Sequence, residues 1–214
     1  MTTADQIIDA ALTAFYQNGF HASGVDQLSA AAGVTKRTLY RHFQSKEGLI
    51  EAVLQWRDQQ FMQEMQAAVE AEAPARRPLA YLAFLQRWGQ HSQFNGCLFI
   101  NAAAEYARAS DGPHGQAKAH KARVQAYLLQ LCRQAGLANA SVLAAQLFVL
   151  GEGLIVTSQV SGAISANNNP TRMAWASSAA STRPRRARAV AAASASRAIC
   201  HPAAGGRVPI SPAS

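Results

Sequence analysis

The sequence predicts an all-α protein, and three observations support this. Apolar residues recur at intervals of three and four over most of the first 165 residues, which is the period of a helix. No segment alternates convincingly between apolar and polar residues, as a half-buried strand would. Alanine is abundant while aromatic residues make up 7% of the chain, and this balance favours helices over sheets.

The first helix is predicted over residues 3–18. Thr3 and Gln6 have the spacing of a capping box, and Gly19 supplies a C-terminal stop. One face carries an apolar stripe, formed by Ile7, Ile8, Ala11, Leu12 and Phe15. Phe20, just beyond the stop, is expected to fold back onto this stripe.

Two short helices and a tight turn are predicted next. The second helix begins near Ser23 or Gly24, where Ser23 and Asp26 have capping-box spacing, and runs to Ala32. The segment "GVT", 33–35, ends the second helix and forms a turn, and Thr35 caps a third helix over 36–42. Leu39 faces inward from that helix and Phe43 continues the contact. A helix, a glycine-containing turn and a helix make the helix-turn-helix arrangement.

The remaining helices are longer. Ser45 begins a helix of about 25 residues, which the segment "AEAPARRP", 71–78, ends. Further helices are predicted at 78–93, 97–109, 114–135 and 139–165. After about residue 167 the chain consists mainly of Ala, Arg, Ser, Pro and Gly with scarcely a periodic apolar residue, so we expect disorder there.

The net charge of +8 does not by itself indicate a nucleic-acid partner. Residues 167–214 hold seven arginines and no acid, which leaves 13 basic against 12 acidic residues in 1–166. Only local clusters therefore carry information. Two origins remain open for the tail: an out-of-frame translation of GC-rich DNA, or an Arg-rich arm, "RPRRAR" at 183–188, that adds nonspecific DNA affinity.

One local cluster stands out, in the third predicted helix. With Leu39 turned to the core, the rest of its surface is cationic and hydrogen-bonding, and no acid occurs between Asp26 and Glu47. Such a helix, held by a second helix, fits the major groove of DNA. The alternative is a solvated charged face, which is the usual meaning of a bare run of Lys and Arg.

Residues 7–54 resemble the DNA-binding domain of TetR/AcrR-type transcriptional regulators. The resemblance rests on Gly33-Val34-Thr35, on Leu39-Tyr40-x-x-Phe43 and on Ser45-Lys46-Glu47. It implies a helix-turn-helix DNA-binding domain over 1–48, a helical effector-binding and dimerisation domain over 49–166, and the tail at 167–214. It also implies a cytoplasmic, ligand-responsive regulator, most simply a repressor released from a palindromic operator by a small apolar molecule.

The resemblance assigns roles within the DNA-binding segment. Thr35 and Thr38 offer hydroxyls to phosphates or base edges, and Lys36 and Arg37 open the recognition helix. The planar guanidinium of Arg37 can bond guanine bidentately and makes it the expected base-reading residue. Phosphate contacts are expected from Tyr40, His42, Lys46 and, more weakly, Ser23.

The second domain is expected to hold the effector. An aromatic set lines either an apolar pocket or an ordinary core, and Glu105 and Gln159 either supply its polar contacts or face solvent. The aromatic residues are Tyr81, Phe84, Trp88, Phe94, Phe99, Tyr106 and Tyr127.

No cofactor, metal or catalytic group is expected. Cys97 is either an oxidant sensor or a plain buried thiol, and no basic residue adjoins it in sequence. His91, His114 and His120 have no metal-ligand spacing, and no nucleophile–base pattern has support.

The helix at 139–165 is expected to form half of a homodimer interface. Its small residues, Ala144, Ala145, Gly151 and Gly153, allow close approach. The segment is apolar enough to suggest a membrane span, but Glu152 in mid-span is costly in lipid, so a buried soluble helix is expected instead. The resemblance also implies a final helix within 167–190, for which the sequence has no apolar stripe.

Two other functions stay open at this stage. One is a helical small-molecule-binding protein or enzyme without DNA function, which a salt-titrated gel shift would separate from a regulator. The other is an architectural DNA-binding protein without effector, which ligand-induced release from DNA would exclude.

Overall fold

The computed structural model describes residues 2–162, and within them the chain is all-α with no strand, as predicted. The tail at 167–214, its arginine-rich arm and the expected final helix lie outside the described residues. The helices run in chain order as follows: α1 (Thr3–Asn18), α2 (Val25–Ala31), α3 (Lys36–Phe43), α4 (Lys46–Glu70), a 3-10 turn (Pro74–Arg76), α5 (Arg77–Gly89), α6 (Leu98–Glu105), α7 (Gly112–Gln134) and α8 (Ala140–Ser161).

The capping box of α1 lies one residue earlier than predicted. Thr2 and Asp5 form it, through the bonds Asp5 N–Thr2 Oγ1 (3.2 Å) and Thr2 N–Asp5 Oδ2 (2.8 Å). The hydrogen bond that the Thr2 amide donates to the carboxylate is the main cause of the lowered pKa of Asp5. Gln6, expected in the box, instead donates from Nε2 to the carbonyl of Ala32 (3.0 Å) and ties α1 to the end of α2.

The α1–α3 region packs around a small apolar core. Phe20 folds back on Phe15 as expected, with ring centroids 4.9 Å apart. Leu28 of α2 and Leu39 of α3 are buried in the same core. This core fixes how α3 is presented to solvent.

The long helix α4 is shared by both predicted domains. It packs on α1 and α3 at one end and on α5 and α7 further along. The boundary predicted between residues 48 and 49 therefore falls in the first turn of a continuous helix. The two-domain division remains a prediction about independent folding units.

Helices α5, α7 and α8 pack together with α4, and the short α6 lies against α7. Two predicted ends were too long: α5 stops at Gly89 rather than 93, and α6 stops at Glu105 rather than 109. In both places the helix ends about one turn before the predicted residue.

Helix α8 is apolar along its whole length but buried on one side only. Ala144, Leu147, Gly151 and Leu154 pack into the chain's own core, so these residues do not form an outer interface as the sequence had suggested for Ala144 and Gly151. A row of valines remains exposed: Val142, Val149, Val156 and Val160. With 22 residues and a mean hydropathy of 1.7, α8 is long and apolar enough to cross a membrane, a test that a core helix of a soluble protein also passes.

Candidate nucleic-acid interface and effector cavity

The turn between α2 and α3 holds the third helix rigidly. Gly33 has φ +64°, a left-handed conformation that glycine adopts without a steric cost. The amide of Val34 donates to the carbonyl of Ser29 (2.9 Å) across the turn. Thr35 caps α3 as predicted, since its side chain accepts from the Thr38 amide (3.1 Å).

Helix α3 presents a cationic face to solvent. Leu39 is fully buried beneath it, whereas Arg37, Arg41 and His42 are exposed and Tyr40 is 43% exposed. Arg41 was not among the expected contacts, although it lies one turn beyond Arg37 on the same short helix. The exposed set supplies guanidinium, imidazole and phenol groups within two helical turns.

One member of this face already has a partner. The Lys36 ammonium forms an ion pair with Asp26 Oδ1 of α2 at 2.5 Å. That hydrogen bond raises the pKa of Lys36. The residues between Asp26 and Glu47 include no acid, but the turn brings Asp26 itself beside α3. This proximity is not visible in the sequence, where Asp26 and Lys36 are ten residues apart.

The turn from α3 into α4 needs a glycine at position 48, directly before the first buried pair of α4, Leu49 and Ile50. A Cβ at Gly48 would collide with the carbonyl oxygen of Phe43, so the two backbones approach closely here. Ser45 caps α4 through Gly48 N (2.9 Å). Lys46 then reaches sideways and donates to the carbonyl of His21 (3.2 Å).

Ser23 is not available to a phosphate. Its side chain is fully buried, and its hydroxyl donates to the carbonyl of Gly19 at 2.7 Å. The capping-box spacing of Ser23 and Asp26 also misled, because Gly24 is the N-cap of α2 and makes no side-chain bond. Ser23 therefore serves to fix the α1–α2 loop.

Glu105 and Tyr106 lie at a junction with the α1–α2 loop rather than in a pocket. The Glu105 carboxylate accepts from the amides of Phe20 (2.9 Å) and His21 (2.7 Å). The ring of Tyr106 lies 4.7 Å from the imidazole of His21, and its buried hydroxyl has no hydrogen-bond partner among the described residues. Burial raises the pKa of Tyr106 to about 12. The end of α6 thus holds the loop that precedes α2.

A small internal cavity lies between α1 and α4–α8. Its volume is about 10 Å³, room for about one water molecule. Three of the expected aromatic residues line it: Tyr81, Trp88 and Phe99. Phe94 packs edge-on against Trp88 (4.9 Å) without lining the cavity. Tyr127 is directed elsewhere, with its hydroxyl bonded to Glu70 (3.3 Å).

The cavity wall is more polar than the sequence had suggested. Tyr16, Arg57, His120, Lys121 and Glu152 line it, and none of them was expected there. A signal for Arg57 was present, because it falls in register with the buried Val53 and Phe61 of α4, four residues to either side. The other four come from distant helices, so no local pattern marks them.

The polar residues of the wall are mostly paired. Lys121 Nζ lies 2.7 Å from Glu152 Oε2, and His120 Nδ1 lies 2.7 Å from Asp58 Oδ1. Burial lowers the pKa of His120, against the opposing hydrogen bond to Asp58. Asp58 is also bonded to Arg123 (3.0 Å).

Cys97 has a basic neighbour that its sequence context does not show. Lys121 on α7 places its Nζ atom 3.6 Å from the Cys97 sulfur. The thiol is buried. Within residues 2–162, no cluster of three His, Cys, Asp or Glu side chains is placed to hold a metal ion.

Comparisons with known proteins agree with this architecture. The family model described as bacterial regulatory proteins, tetR family, matches residues 7–53. The fatty acid metabolism regulator protein of Bacillus subtilis is 35% identical over 75 residues, which are 35% of this chain and 39% of that protein. The matched segment is therefore well under half of that relative's length.

Solved structures extend the likeness beyond the first helices. SCO4454, a TetR-family transcriptional regulator from Streptomyces coelicolor, aligns with a TM-score of 0.70 and 28% identity over 74% of this chain and 84% of that chain. AibR in complex with isovaleryl coenzyme A and operator DNA aligns with a TM-score of 0.56 and 21% identity over 74% of this chain and 86% of that chain, which shows a shared fold. The Bacillus subtilis protein and SCO4454 are both named as regulators. Residues 7–53 thus match the tetR family of bacterial regulatory proteins, and the described helices align with those of the TetR-family regulator SCO4454.

Proposed function

We propose that this chain is a cytoplasmic, ligand-responsive transcriptional repressor that binds a palindromic operator as a homodimer. The observation that carries the proposal is the exposed cationic face of α3, held from behind by the buried Leu39. A short helix of this kind enters the major groove with its N-terminal residues towards the bases. Arg37 lies in its first turn and is exposed.

A salt-titrated anisotropy measurement on the gene's own upstream DNA tests DNA binding. We expect affinity to fall steeply with salt, because phosphate contacts release counterions. Absence of binding in dilute buffer by a protein shown to be folded would refute the proposed function.

Arg37→Ala tests base reading. We expect it to reduce discrimination at particular base pairs by about 1–3 kcal/mol. Tyr40→Phe is the matched control, since it removes a phosphate-directed hydroxyl and should weaken binding to all sequences alike. Unchanged selectivity in the Arg37 variant would remove its assigned role, whatever its affinity.

The dimer is supported by the exposed valine row of α8. Single exposed apolar residues are ordinary, but four valines along one helix face form a contiguous apolar surface. Two copies related by a two-fold axis would bury this surface against itself. A dimer of this kind would also place two copies of α3 on successive half-sites of a palindrome.

Val149→Lys tests the dimer, since Val149 is 68% exposed. We expect this variant to be monomeric in sedimentation velocity at concentrations where the parent chain is dimeric, because a lysine pair would face itself across the axis. Ala67→Lys, a change at an exposed position of α4, should leave the dimer intact. A dimeric Val149 variant would place the interface elsewhere.

The effector is proposed to enter the internal cavity. Helix α6 begins at this cavity, where Leu98 and Phe99 line it, and ends at Glu105 on the α1–α2 loop. A ligand that displaces α6 would therefore move a contact of the DNA-binding helices. A ligand can release DNA only if it binds the protein with displaced α6 more tightly than the protein with α6 in its present position.

A further inference from the structure

The side chain of Arg57 is the least satisfied charge of the cavity wall. The residue is 9% exposed, and its guanidinium lies 5.8 Å from the Phe61 ring centroid and 5.9 Å from that of Trp88. A buried charge of this kind is normally held by close, well-formed hydrogen bonds, because desolvation is costly.

Its existing partners are few and distant. Within the described residues, Nε donates to the Tyr16 hydroxyl at 3.4 Å and Nη1 to Glu64 Oε1 at 3.5 Å. Both distances are at the outer limit for a hydrogen bond. Glu64 has a side chain that is 52% exposed, so its carboxylate stays largely in water. A guanidinium has five N–H groups, so most of this donor capacity remains for something in the cavity.

The other charges of the wall cancel each other. Lys121 is paired with Glu152 at 2.7 Å. His120 is held to Asp58, whose second oxygen is bonded to Arg123 outside the cavity. Of the charges that line the cavity, that of Arg57 has the weakest pairing, the 3.5 Å contact with the half-exposed Glu64. This positive charge matches a ligand with a single negative charge.

The remaining wall is aromatic. Tyr81, Trp88 and Phe99 line the cavity, and the Phe99 ring is stacked on His120 at 3.7 Å with an interplanar angle of 8°. Aromatic faces and edges of this kind pack against flat apolar groups. The cavity of about 10 Å³ must widen to admit any organic molecule, which favours small ones.

We propose that the effector cavity takes a small organic monoanion, a carboxylate on a flat or branched apolar body, with the carboxylate held bidentately by Arg57. The inference rests on the proposed function for its regulatory meaning, but binding itself is independent of DNA. Arg–carboxylate pairs with two parallel hydrogen bonds are the strong form of this contact. The apolar effector expected from the aromatic residues alone is thereby replaced by an amphipathic acid.

The test is isothermal titration calorimetry of the full chain, in the absence of DNA and at constant ionic strength. The probes are benzoate, phenylacetate and isobutyrate, each paired with its uncharged amide. We expect at least one carboxylate to bind ten-fold or more tightly than its amide. If no carboxylate is preferred over its amide, the proposal is overturned.

Arg57→Met assigns the preference to this residue. The unbranched methionine fills the space without charge, and it should abolish the difference between acid and amide by weakening the binding of the acid. Arg57→Lys, which keeps the charge but loses the planar fork, should retain part of the difference. The matched control is Arg133→Met at the exposed end of α7, which should behave as the parent chain. A preference that survives in Arg57→Met would overturn the assignment.

Operator affinity measured on the same samples separates the two proposals. A chain that binds its operator but shows no acid preference retains the proposed function and loses this inference. A chain that shows the Arg57-dependent preference but never binds DNA retains the ligand site and loses the repressor function. With both intact, the preferred acid should release the operator from the parent chain and not from Arg57→Met.

Discussion

His120 is an uncharged histidine at the centre of the cavity wall. It is 2% exposed, covered by Phe99 and hydrogen-bonded to Asp58. Arg123 and Lys121 lie nearby, the first bonded to Asp58 and the second to Glu152. Burial lowers the pKa of His120 below its ordinary value, so the folded protein resists a proton that the unfolded chain accepts.

The sign of the resulting pH dependence follows from linkage. Below about pH 6.5 the unfolded chain binds a proton at this residue more readily than the folded chain does, so stability is lost as the pH falls. We expect His120→Asn, whose amide can still donate to Asp58, to lose less stability between pH 7.5 and 5.5 than the parent chain. Urea unfolding at both pH values measures this.

Because only one proton is involved, the free energies of unfolding of the parent chain and of His120→Asn can diverge by at most about 1.4 kcal/mol per pH unit. The control is His91→Asn, an exposed histidine, which should keep the parent pH dependence. Identical pH dependence in the parent chain and in His120→Asn would show that this residue does not resist protonation.

Single residues also mark where sequence patterns were informative. Thr35 and Ser45 cap their helices as predicted, because a cap acts on a backbone amide three residues away. Lys121 and Glu152 were missed, because each has its partner on another helix. Local rules describe local hydrogen bonds, whereas a buried charge is explained only by its tertiary partners.

At the scale of helices, the packing of α8 on α5 depends on a missing side chain. A Cβ at Gly151 would lie 2.5 Å from the Tyr81 hydroxyl oxygen and 2.9 Å from a methyl carbon of Leu85. The same helix has Gly153 two residues later, where a Cβ would meet nothing within 4 Å. Both glycines lie within the same helix, but Gly151 faces a filled site and Gly153 faces open space.

Alanine at these two positions should have opposite effects on stability. Gly151→Ala should destabilise the fold by about 1–3 kcal/mol, because the added methyl overpacks a filled site. Gly153→Ala should stabilise by about 0.5–1 kcal/mol through helix propensity alone. Free energies of unfolding from urea titrations measure both, and effects of the same sign would contradict the packing of α8 described above.

The helical elements themselves were largely predictable. Apolar period predicts the stripes on α1 and α4. Capping chemistry predicts the breaks at Gly19, Gly33 and residues 71–78, and the structure has the helices that these breaks separate. The ends of α5 and α6 were not predictable. Each ends where a tertiary contact takes over, as at Glu105, whose side chain bonds the α1–α2 loop.

For the whole molecule, α6 connects the cavity to the loop between α1 and α2. Its first residues line the cavity, and Glu105 at its end holds the amides of Phe20 and His21. Lys46, at the start of α4, bonds the carbonyl of His21. One short loop is therefore in contact with α6 and with α4 at once.

Glu105→Gln should loosen this connection without unfolding the chain. One amide oxygen must then serve two N–H groups, which costs about 1–3 kcal/mol if an amide is left unpaired. We expect faster hydrogen exchange at Phe20 and His21 and altered operator affinity. Glu72→Gln, in the exposed segment after α4, is the control. Unchanged exchange at both amides would exclude Glu105 as the connecting residue.

The ion pair between Lys36 and Asp26 bears on how this surface meets a polyanion. In the free protein the Asp26 carboxylate neutralises the Lys36 ammonium as an internal counter-ion. If Lys36 binds a phosphate as we propose, Asp26 will be left to attract a cation from solution, and this uptake will offset part of the counterion release from the duplex. The dependence of affinity on salt should therefore be shallower than the number of cationic contacts suggests.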